Sequence, residues 1–363
     1  MQPDRRNRKR VARAMAMLLP LLAACGSGGG HAPFGTAAAT SVASDASGMK
    51  LVAVAAGGGI WTSTDGGITW VDRTPSGPAH VQQWMSVASD ATGTNLAVVV
   101  NGFYDRPNAD PAAFSGDVWT SNDSGATWID QTSSSPAHGE AWRSVASDAS
   151  GTNVVAVTAG GSVVLGPGAI WTSTDAGVTW TNATATVTGM GTQDWSSVAS
   201  DATGKNLVAA GSGSGIWAST DGGATWTNRT PADPKFEASY GDQVEGWSSV
   251  ASDATGTKLV AAVNTGDIWT STDGGGTWTD AAPTTSWQVW ISVASDATGT
   301  NLVAVDGLVE GADGDVWTSA NGGLTWTDQT TGNPAASGQW RAVASNAAGD
   351  HAIAVGIGAI WTN

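Results

Sequence analysis

The segment S-T-D-G-G-A-T-W, residues Ser219–Trp226, has five close relatives in the same chain. Every copy keeps the first serine, a glycine at the fifth position and a final Thr-Trp pair. Serine and aspartate side chains in such a segment bond the N–H groups of their own turn, and glycine permits a left-handed bend. The segment therefore predicts a tight turn between two β-strands. The other copies are Ser63–Trp70, Ser121–Trp128, Ser173–Trp180, Ser271–Trp278 and Ser319–Trp326.

A second string, S-V-A-S-D or a near copy of it, recurs at intervals of 43 to 58 residues. Each repeat contains an alternating strand, a polar turn with one glycine, an apolar run and a third strand that leads into the tight turn. No window carries a helical period, so we predict an all-β fold of repeated four-stranded units. The string begins at Ser41, Ser86, Ser144, Ser197, Ser249, Ser292 and Ala342, and the turn glycines are Gly48, Gly93, Gly151, Gly204, Gly256, Gly299 and Gly349.

The six tight-turn segments resemble the Asp-box, the bacterial neuraminidase repeat. It occurs in sialidases, sortilin-type receptors, some endoglucanases and a photosystem II assembly factor. The resemblance covers about residues 40 to 363 and implies a seven-bladed β-propeller of four-stranded blades. It also implies that the third residues of the segments are structural, and a calcium role is disfavoured because each segment offers at most one carboxylate. These residues are Asp65, Asp123, Asp175, Asp221, Asp273 and Asn321.

The two ends of the repeat region depart from the pattern. The first unit has Ala39 where the later units have tryptophan, and the seventh stops at Ile360–Asn363 without a tight-turn segment. We expect the last blade to be incomplete with three strands, or to be closed by an N-terminal strand from around residues 31 to 40. An early end of the gene is a third explanation.

The N-terminus predicts export. A basic stretch precedes an apolar run of about ten residues, which is typical of a signal peptide. Leu22–Cys25 resembles the lipobox of bacterial lipoproteins, so we expect cleavage before Cys25 and lipid attachment to it. The predicted organisation is a signal peptide over residues 1–24, a flexible tether over 25–35 and one propeller over 36–363. Gly26 lacks the aspartate that favours inner-membrane retention, which favours the outer membrane or cell surface.

Composition excludes several classes of function. The net charge of −16 argues against nucleic-acid binding, and the single cysteine excludes a disulfide framework or a cysteine-cluster metal site. We predict no metal and no cofactor, and we expect a monomer. Of the 20 tryptophans, all except Trp287 occupy three repeat positions, which favours packing between blades over a ligand platform.

The connections of variable length are predicted to lie on one face of the ring. We label the strands of each unit A to D. The A–B and C–D turns hardly vary, whereas the B–C and D–A connections do, and binding residues usually sit on such loops. The possible binding face collects Phe103, Tyr104, Arg106, Glu140, Glu237, Tyr240, Glu245, Trp287 and Glu310, and also Asp105, His138 and Asp242.

Two functions from different classes follow. The preferred one is a non-enzymatic, lipid-anchored module that binds a protein or glycan partner. The alternative is a glycosidase that uses two carboxylates near the same face, for which Asp117, Asp267 and Asp315 in G-D-[V/I]-W positions are candidates. Their other interpretation is a turn aspartate that starts strand C. Sialidase activity is disfavoured, because the arginine set, tyrosine and glutamate that the resemblance would require are not recognisable.

Overall fold

A computed structural model describes residues 38–76, 82–102, 116–160, 167–185, 187, 190, 193–231, 246–282, 288–307, 314–330 and 338–363. Within these ranges the only regular elements are 27 β-strands, so the predicted all-β class is confirmed. No helix that is long and apolar enough to cross a membrane occurs in these ranges.

The two inner strands of each unit carry most of the apolar sequence. Strand A combines buried and half-buried residues, with Arg341 of the last blade exposed. The first five residues of every strand B are buried. The A strands are β1 (Ala39–Ser44), β5 (Trp84–Ser89), β9 (Trp142–Ser147), β13 (Asp194–Ser200), β17 (Trp247–Ser252), β21 (Trp290–Ser295) and β25 (Trp340–Ser345). The B strands are β2 (Leu51–Ala55), β6 (Leu96–Val100), β10 (Val154–Thr158), β14 (Leu207–Ser212), β18 (Leu259–Val263), β22 (Leu302–Asp306) and β26 (Ala352–Gly356).

The outer strands are shorter, and strand D contributes only two residues to each sheet. The C strands are β3 (Ile60–Ser63), β7 (Val118–Ser121), β11 (Ile170–Ser173), β15 (Gly215–Ser219), β19 (Ile268–Ser271), β23 (Val316–Ser319) and β27 (Ile360–Thr362). The D strands are β4 (Val71–Asp72), β8 (Ile129–Asp130), β12 (Thr181–Asn182), β16 (Thr227–Asn228), β20 (Thr279–Asp280) and β24 (Thr327–Asp328).

The strands form seven antiparallel sheets in the simple order A-B-C-D, which are the predicted blades. Each A strand packs against the A strands of both neighbouring blades, and β25 packs against β1, so the ring is closed. Six sheets have four strands and the last has three, β25 to β27, within the described residues. Ala38, just before β1, pairs with Ile357 of blade 7 in the way that Gln83 pairs with Ala56 between blades 1 and 2.

A circle of backbone hydrogen bonds joins the A–B turns of all seven blades. In each turn the alanine that follows the S-V-A-S-D-type string donates its N–H to the carbonyl of the same alanine in the next blade. The N···O distances are 3.0 to 3.2 Å. The last bond, from Ala347 to Ala46, completes the circle, which runs through Ala46, Ala91, Ala149, Ala202, Ala254, Ala297 and Ala347.

Side chains reinforce this circle from one blade to the next. The amide of Asn206 in blade 4 donates to the carbonyl of Thr255 in blade 5, at 3.0 Å. Gly256 follows that carbonyl with a φ of +74°, and a Cβ there would lie 2.3 Å from the Cβ of Asn206. Glycine is therefore required both by the left-handed backbone and by the neighbouring blade. All seven predicted turn glycines have a positive φ.

Between neighbouring blades lie seven separate apolar clusters, one at each junction. Six of them contain a strand-A tryptophan that is at most 2% exposed. At the same six junctions a strand-A serine hydroxyl accepts the N–H of a valine in the next blade, as Ser249 does from Val293 at 3.1 Å. The junction between blades 7 and 1 differs in both respects, because Ala39 replaces the tryptophan and Ala342 replaces the serine.

The C–D turns are held by their own side chains. In blade 2, Ser121 Oγ accepts the N–H of Gly125 and donates to Asp123, and Asp123 accepts both the N–H and the hydroxyl of Thr127. The Thr127 bonds lower the pKa of Asp123 to about 2. In blade 6, Asn321 keeps the bond from the Thr325 N–H and donates its amide to the Thr325 hydroxyl.

The two kinds of connection lie on opposite faces of the ring. Each C–D turn donates an N–H to the A–B turn of its own blade, as Gly274 does to the carbonyl of Thr257. The B–C connections instead bond the D–A connections, as Asn101 does to Gln83. We call the first face the turn face and the second the loop face.

Substitution of Ala342 by serine should strengthen the junction between blades 7 and 1. A new hydroxyl acceptor for Val42 should stabilise the protein by about 1 kcal/mol, the usual net value of one hydrogen bond. Denaturant unfolding and the melting temperature measure the gain. The matched control is Ser292→Ala, which removes the acceptor of Val343 and should cost about 1 to 3 kcal/mol. An unchanged stability in both variants would contradict the role given to these serines.

Candidate functional site

The loop face is the part of the ring where blades differ most, and it is described only in part. Of the twelve residues predicted for the binding face, His138 and Glu140 lie within the described ranges. The remaining predicted residues and the predicted anchor fall outside the described residues: Phe103, Tyr104, Asp105, Arg106, Glu237, Tyr240, Asp242, Glu245, Trp287, Glu310 and Cys25.

The connection between blades 2 and 3, residues 131–141, is described in full and is held by hydrogen bonds and by a buried side chain. Ser135 donates its N–H to the carbonyl of Thr132, and Gly139 donates to that of Gly116. Ala137 is fully buried and packs in the apolar cluster that also holds Trp142. The connection is therefore anchored to the core and holds the side chains beside it in defined positions.

An aspartate–histidine pair joins this connection to the start of strand C in blade 2. Asp117 is buried at the start of strand C, and its Oδ1 lies 2.7 Å from Nδ1 of His138 and 2.9 Å from the hydroxyl of Thr132. The His138 side chain is 45% exposed, against 3% for Asp117. A buried carboxylate behind one ring nitrogen orients the imidazole and leaves the other nitrogen for a ligand or a proton.

Two further carboxylates belong to this region: Asp130, whose charge interacts with both members of the pair, and Glu140, two residues after His138. Burial raises the pKa of Asp130, as does the negative charge of Asp117 nearby. Burial also raises the pKa of Glu140. Both groups therefore hold a proton to a higher pH than an exposed carboxylate does.

The glycine–aspartate sequence before three C strands has a structural role. The carbonyls of Gly116, Gly266 and Gly314 accept the indole N–H of the strand-A tryptophan in the following blade. Their neighbours Asp117 and Asp315 accept hydroxyl hydrogen bonds from Thr132 and Thr330, each 15 residues further along the chain. These contacts support the interpretation of the aspartates as residues that start strand C.

Asp306 in blade 6 is a buried carboxylate that was not among the predicted site residues. It ends β22, where the other blades have Ala55, Val100, Thr158, Gly211, Val263 and Gly356. The side chain is buried, and it accepts the N–H of Asp315 at 2.5 Å and the indole N–H of Trp317 at 3.2 Å. Burial raises its pKa to about 6, and the negative charges of Asp315 and Asp328 act in the same direction.

Asp315 and Asp328 meet at one hydroxyl. Thr330 Oγ1 lies 2.6 Å from an oxygen of Asp315 and 2.7 Å from an oxygen of Asp328. One hydroxyl has a single proton to donate, so the two carboxylates compete for it. Blade 6 thus gathers three carboxylates beside the loop face, and the negative charges of Asp315 and Asp328 favour the protonated form of Asp306.

No group of three or more histidine, cysteine, aspartate or glutamate side chains in metal-binding proximity occurs in the described part of the chain. At the turn face the seven S-D-A or S-N-A sequences surround a cavity of about 190 Å³. Their aspartates bond their own turns, as Asp90 does to the N–H and hydroxyl of Thr92.

No family model matches the sequence, and no curated protein matches it. Solved structures are similar in fold. A GH74 enzyme from Niastella koreensis superposes with a TM-score of 0.67 at 19% identity, over 92% of this chain and 53% of the enzyme. A GH74 xyloglucanase from Xanthomonas campestris gives 0.63 at 15% identity, over 92% and 52%.

A second group of similar structures is YCF48. The structure of YCF48 bound to D1 peptide gives a TM-score of 0.62 at 17% identity, over 92% of this chain and 94% of YCF48. YCF48 from Cyanidioschyzon merolae gives 0.61 at 15% identity, over 92% and 97%. The chain thus spans about half the length of the GH74 enzymes it matches and nearly all of YCF48. These likenesses establish the propeller fold.

Protonation of Asp306 should make the protein more stable in mild acid. Its pKa is raised by folding, so its stabilising contribution is complete below the unfolded value of 3.8 and is lost as pH rises through about 6. The difference in unfolding free energy between pH 4 and pH 7 is about 3 kcal/mol at most. Melting curves across this range measure it.

The control variant is Asp306→Thr. Thr158 stands at the equivalent position of blade 3, and its hydroxyl accepts the N–H of Ala169. Threonine therefore retains an acceptor for residue 315 while removing the charge. The pH dependence assigned to Asp306 should vanish in this variant, and an identical profile in both proteins would show that another group titrates.

Proposed function

We propose that the chain is a lipid-anchored, non-enzymatic binding module of the bacterial envelope, whose protein or glycan partner docks on the loop face. We propose further that it is a monomer built from Asp-box repeats. The anchor and the family assignment rest on the sequence motifs, and the docking face rests on the lengths of the connections and on the described 131–141 connection.

The observation that carries the proposal is the contrast in connection length between the two faces. Every A–B turn has six residues, as between Ser44 and Leu51, and every C–D turn has seven, as between Ser63 and Val71. The B–C connections vary from two residues, between β14 and β15, to 17, between β6 and β7. Variation confined to one face of a rigid scaffold is typical of a recognition surface.

The described residues of the loop face support recognition. The 131–141 connection is anchored by Ala137, and it presents a half-exposed His138 whose orientation is held by Asp117. Such a pre-positioned polar side chain loses little conformational entropy when a partner binds. Asp117 and Asp315, which are candidates for catalytic carboxylates, are instead bonded to threonines of their own blades.

The structural neighbours are consistent with two classes of function. YCF48, which this chain matches over nearly its whole length, has been solved with a bound D1 peptide. That structure shows that a propeller of this size can bind a peptide, and it favours a protein partner here. The GH74 enzymes match over about half of their length.

A glycoside hydrolase is the second candidate, because of Asp306. A buried carboxylate with a pKa of about 6, close to two other carboxylates, has the property that a general acid needs at neutral pH. The GH74 neighbours add support through their shared fold. In this alternative, Asp306 donates a proton to the leaving oxygen and a second carboxylate of the loop face assists.

A binding screen against glycans and envelope proteins should detect a partner for the chain from residue 26 onward. His138→Ala should weaken binding, because it removes an ordered polar contact of the loop face. His351→Ala, on the turn face, should leave affinity unchanged. Affinity can be measured by surface plasmon resonance.

A panel of fluorogenic glycosides and xyloglucan fragments is run on the same samples. Binding without turnover supports the module. Turnover that Asp306→Asn abolishes, and that declines as pH rises through about 6, would overturn it in favour of the hydrolase.

The lipid anchor is tested separately. Substitution of Cys25 by serine removes the thiol to which acyl chains attach, so the protein should move from the membrane fraction to the soluble envelope fraction. Cell fractionation and immunoblotting provide the measurement, with Ser27→Ala as a control that should remain bound to the membrane. Unchanged fractionation of the Cys25 variant would refute the anchor.

A further inference from the structure

A groove of about 370 Å³ opens on the turn face between blades 5 and 6. One wall comes from strands β19 and β20 and the turn between them. The other wall comes from the A–B and C–D turns of blade 6. This volume lies within the range of small-molecule sites, which is roughly 300 to 1,000 Å³.

The equivalent groove between blades 2 and 3 is only about 110 Å³ and provides an internal comparison. There, Ile129 lines the wall and the Gln131 amide donates to the hydroxyl of Thr120 at 2.8 Å. Thr279 and Ala281 occupy the same repeat positions in blade 5. The groove between blades 5 and 6 is therefore the larger of the two, and the side chains at these two positions of its wall are the smaller ones.

The walls of the large groove carry hydroxyl groups with unused hydrogen-bonding capacity. The side chains of four lining threonines form no hydrogen bond with any residue that the structure describes. A hydrogen-bonding ligand therefore need not displace an internal bond. These residues are Thr270, Thr272, Thr279 and Thr300.

The charge of the groove is opposite to that of the protein as a whole. Lys258 is the only charged residue of its lining, although the chain has a net charge of −16. Its Nζ donates to the carbonyl of Thr298 at 2.7 Å and has two further protons to offer. Asn321 stands where the other five C–D turns have aspartate, which removes a negative charge from the rim.

Apolar surface completes the groove. Leu259 and Leu302 are buried in its floor, and Leu324 is 81% exposed at its lip. A ligand that fits has an anionic group for Lys258, hydroxyl groups for the threonines and a C–H surface for the leucines. No aromatic ring occurs in this lining, so hydrogen bonds and charge supply the affinity.

We propose that the groove between blades 5 and 6 binds a small hydroxylated carboxylate of the uronic acid class. Its carboxylate pairs with Lys258, its hydroxyl groups bond the threonine walls, and its ring packs on Leu324. The site lies on the face opposite to the proposed partner surface, so either can fail without the other.

Titration with D-glucuronate, followed by NMR of the leucine and threonine methyl groups of the full chain, tests the proposal. Glucuronate should shift the signals of Leu302, Leu324 and Thr279. D-Glucose, which lacks the carboxylate, should bind at least about tenfold more weakly, because a charge-assisted hydrogen bond is lost. No shift with glucuronate, or equal affinity for glucose, would overturn the proposal.

Three variants taken from the protein's own repeats sharpen this test. Lys258→Asn introduces the residue that blade 2 has at the equivalent position, Asn95. The Asn95 amide also donates to a carbonyl of the next blade, so this variant keeps the bond between blades and removes only the charge. It should raise the Kd for glucuronate about tenfold or more. Lys50→Asn removes an equivalent lysine in blade 1 and should leave the Kd unchanged. The double variant Thr279→Ile, Ala281→Gln copies the narrow groove of blades 2 and 3 and should abolish binding. Equal effects of the two lysine variants would indicate non-specific charge attraction and contradict the site.

Discussion

The closed circle of seven backbone hydrogen bonds between the A–B turns is the constraint on which the rest of the molecule depends. Each alanine in the circle must reach its counterpart in the next blade, so every A–B turn has the same length and places strand A at the same distance from the axis. The Asn and Lys side chains that cross to the next turn require a glycine opposite them. Each C–D turn donates a hydrogen bond to the A–B turn of its own blade. The constant geometry therefore extends outward from the axis to the rim of the turn face.

Much of this could be predicted from the sequence because the repeat presents each local solution several times. The glycine at position 256 and its six equivalents predict a left-handed turn. The serine, the aspartate (asparagine in blade 6) and the threonine of each C–D segment predict a self-bonded turn. The prediction of an incomplete last blade with three strands is also confirmed within the described residues. Local chemistry repeated in register is sufficient for these features.

The candidate sites were less predictable, since they depend on contacts between distant segments. Asp117 and His138 are 21 residues apart, and only folding of the 131–141 connection places the imidazole on the buried carboxylate. Asp306 belongs to an apolar run in the linear sequence, and its raised pKa follows from burial beside Asp315 and Asp328. A comparison of the seven repeats position by position would have marked Asp306 as an exception, because its equivalents are uncharged. Departures from a repeat are therefore the signal to examine in such proteins.

The junction between blades 7 and 1 has a mechanical consequence. Ala39 and Ala342 leave it without the buried tryptophan and the serine hydrogen bond that strengthen the other six. Strand β1 lies on one side of it, and blade 7, including Ile360 of β27, lies on the other. The ring is therefore expected to open first at this junction. The blades are then expected to unfold one after another, beginning with those beside the opening. Resistance to force or heat would then be set by the junction between blades 7 and 1. The six stronger junctions would determine how many blades unfold after it opens.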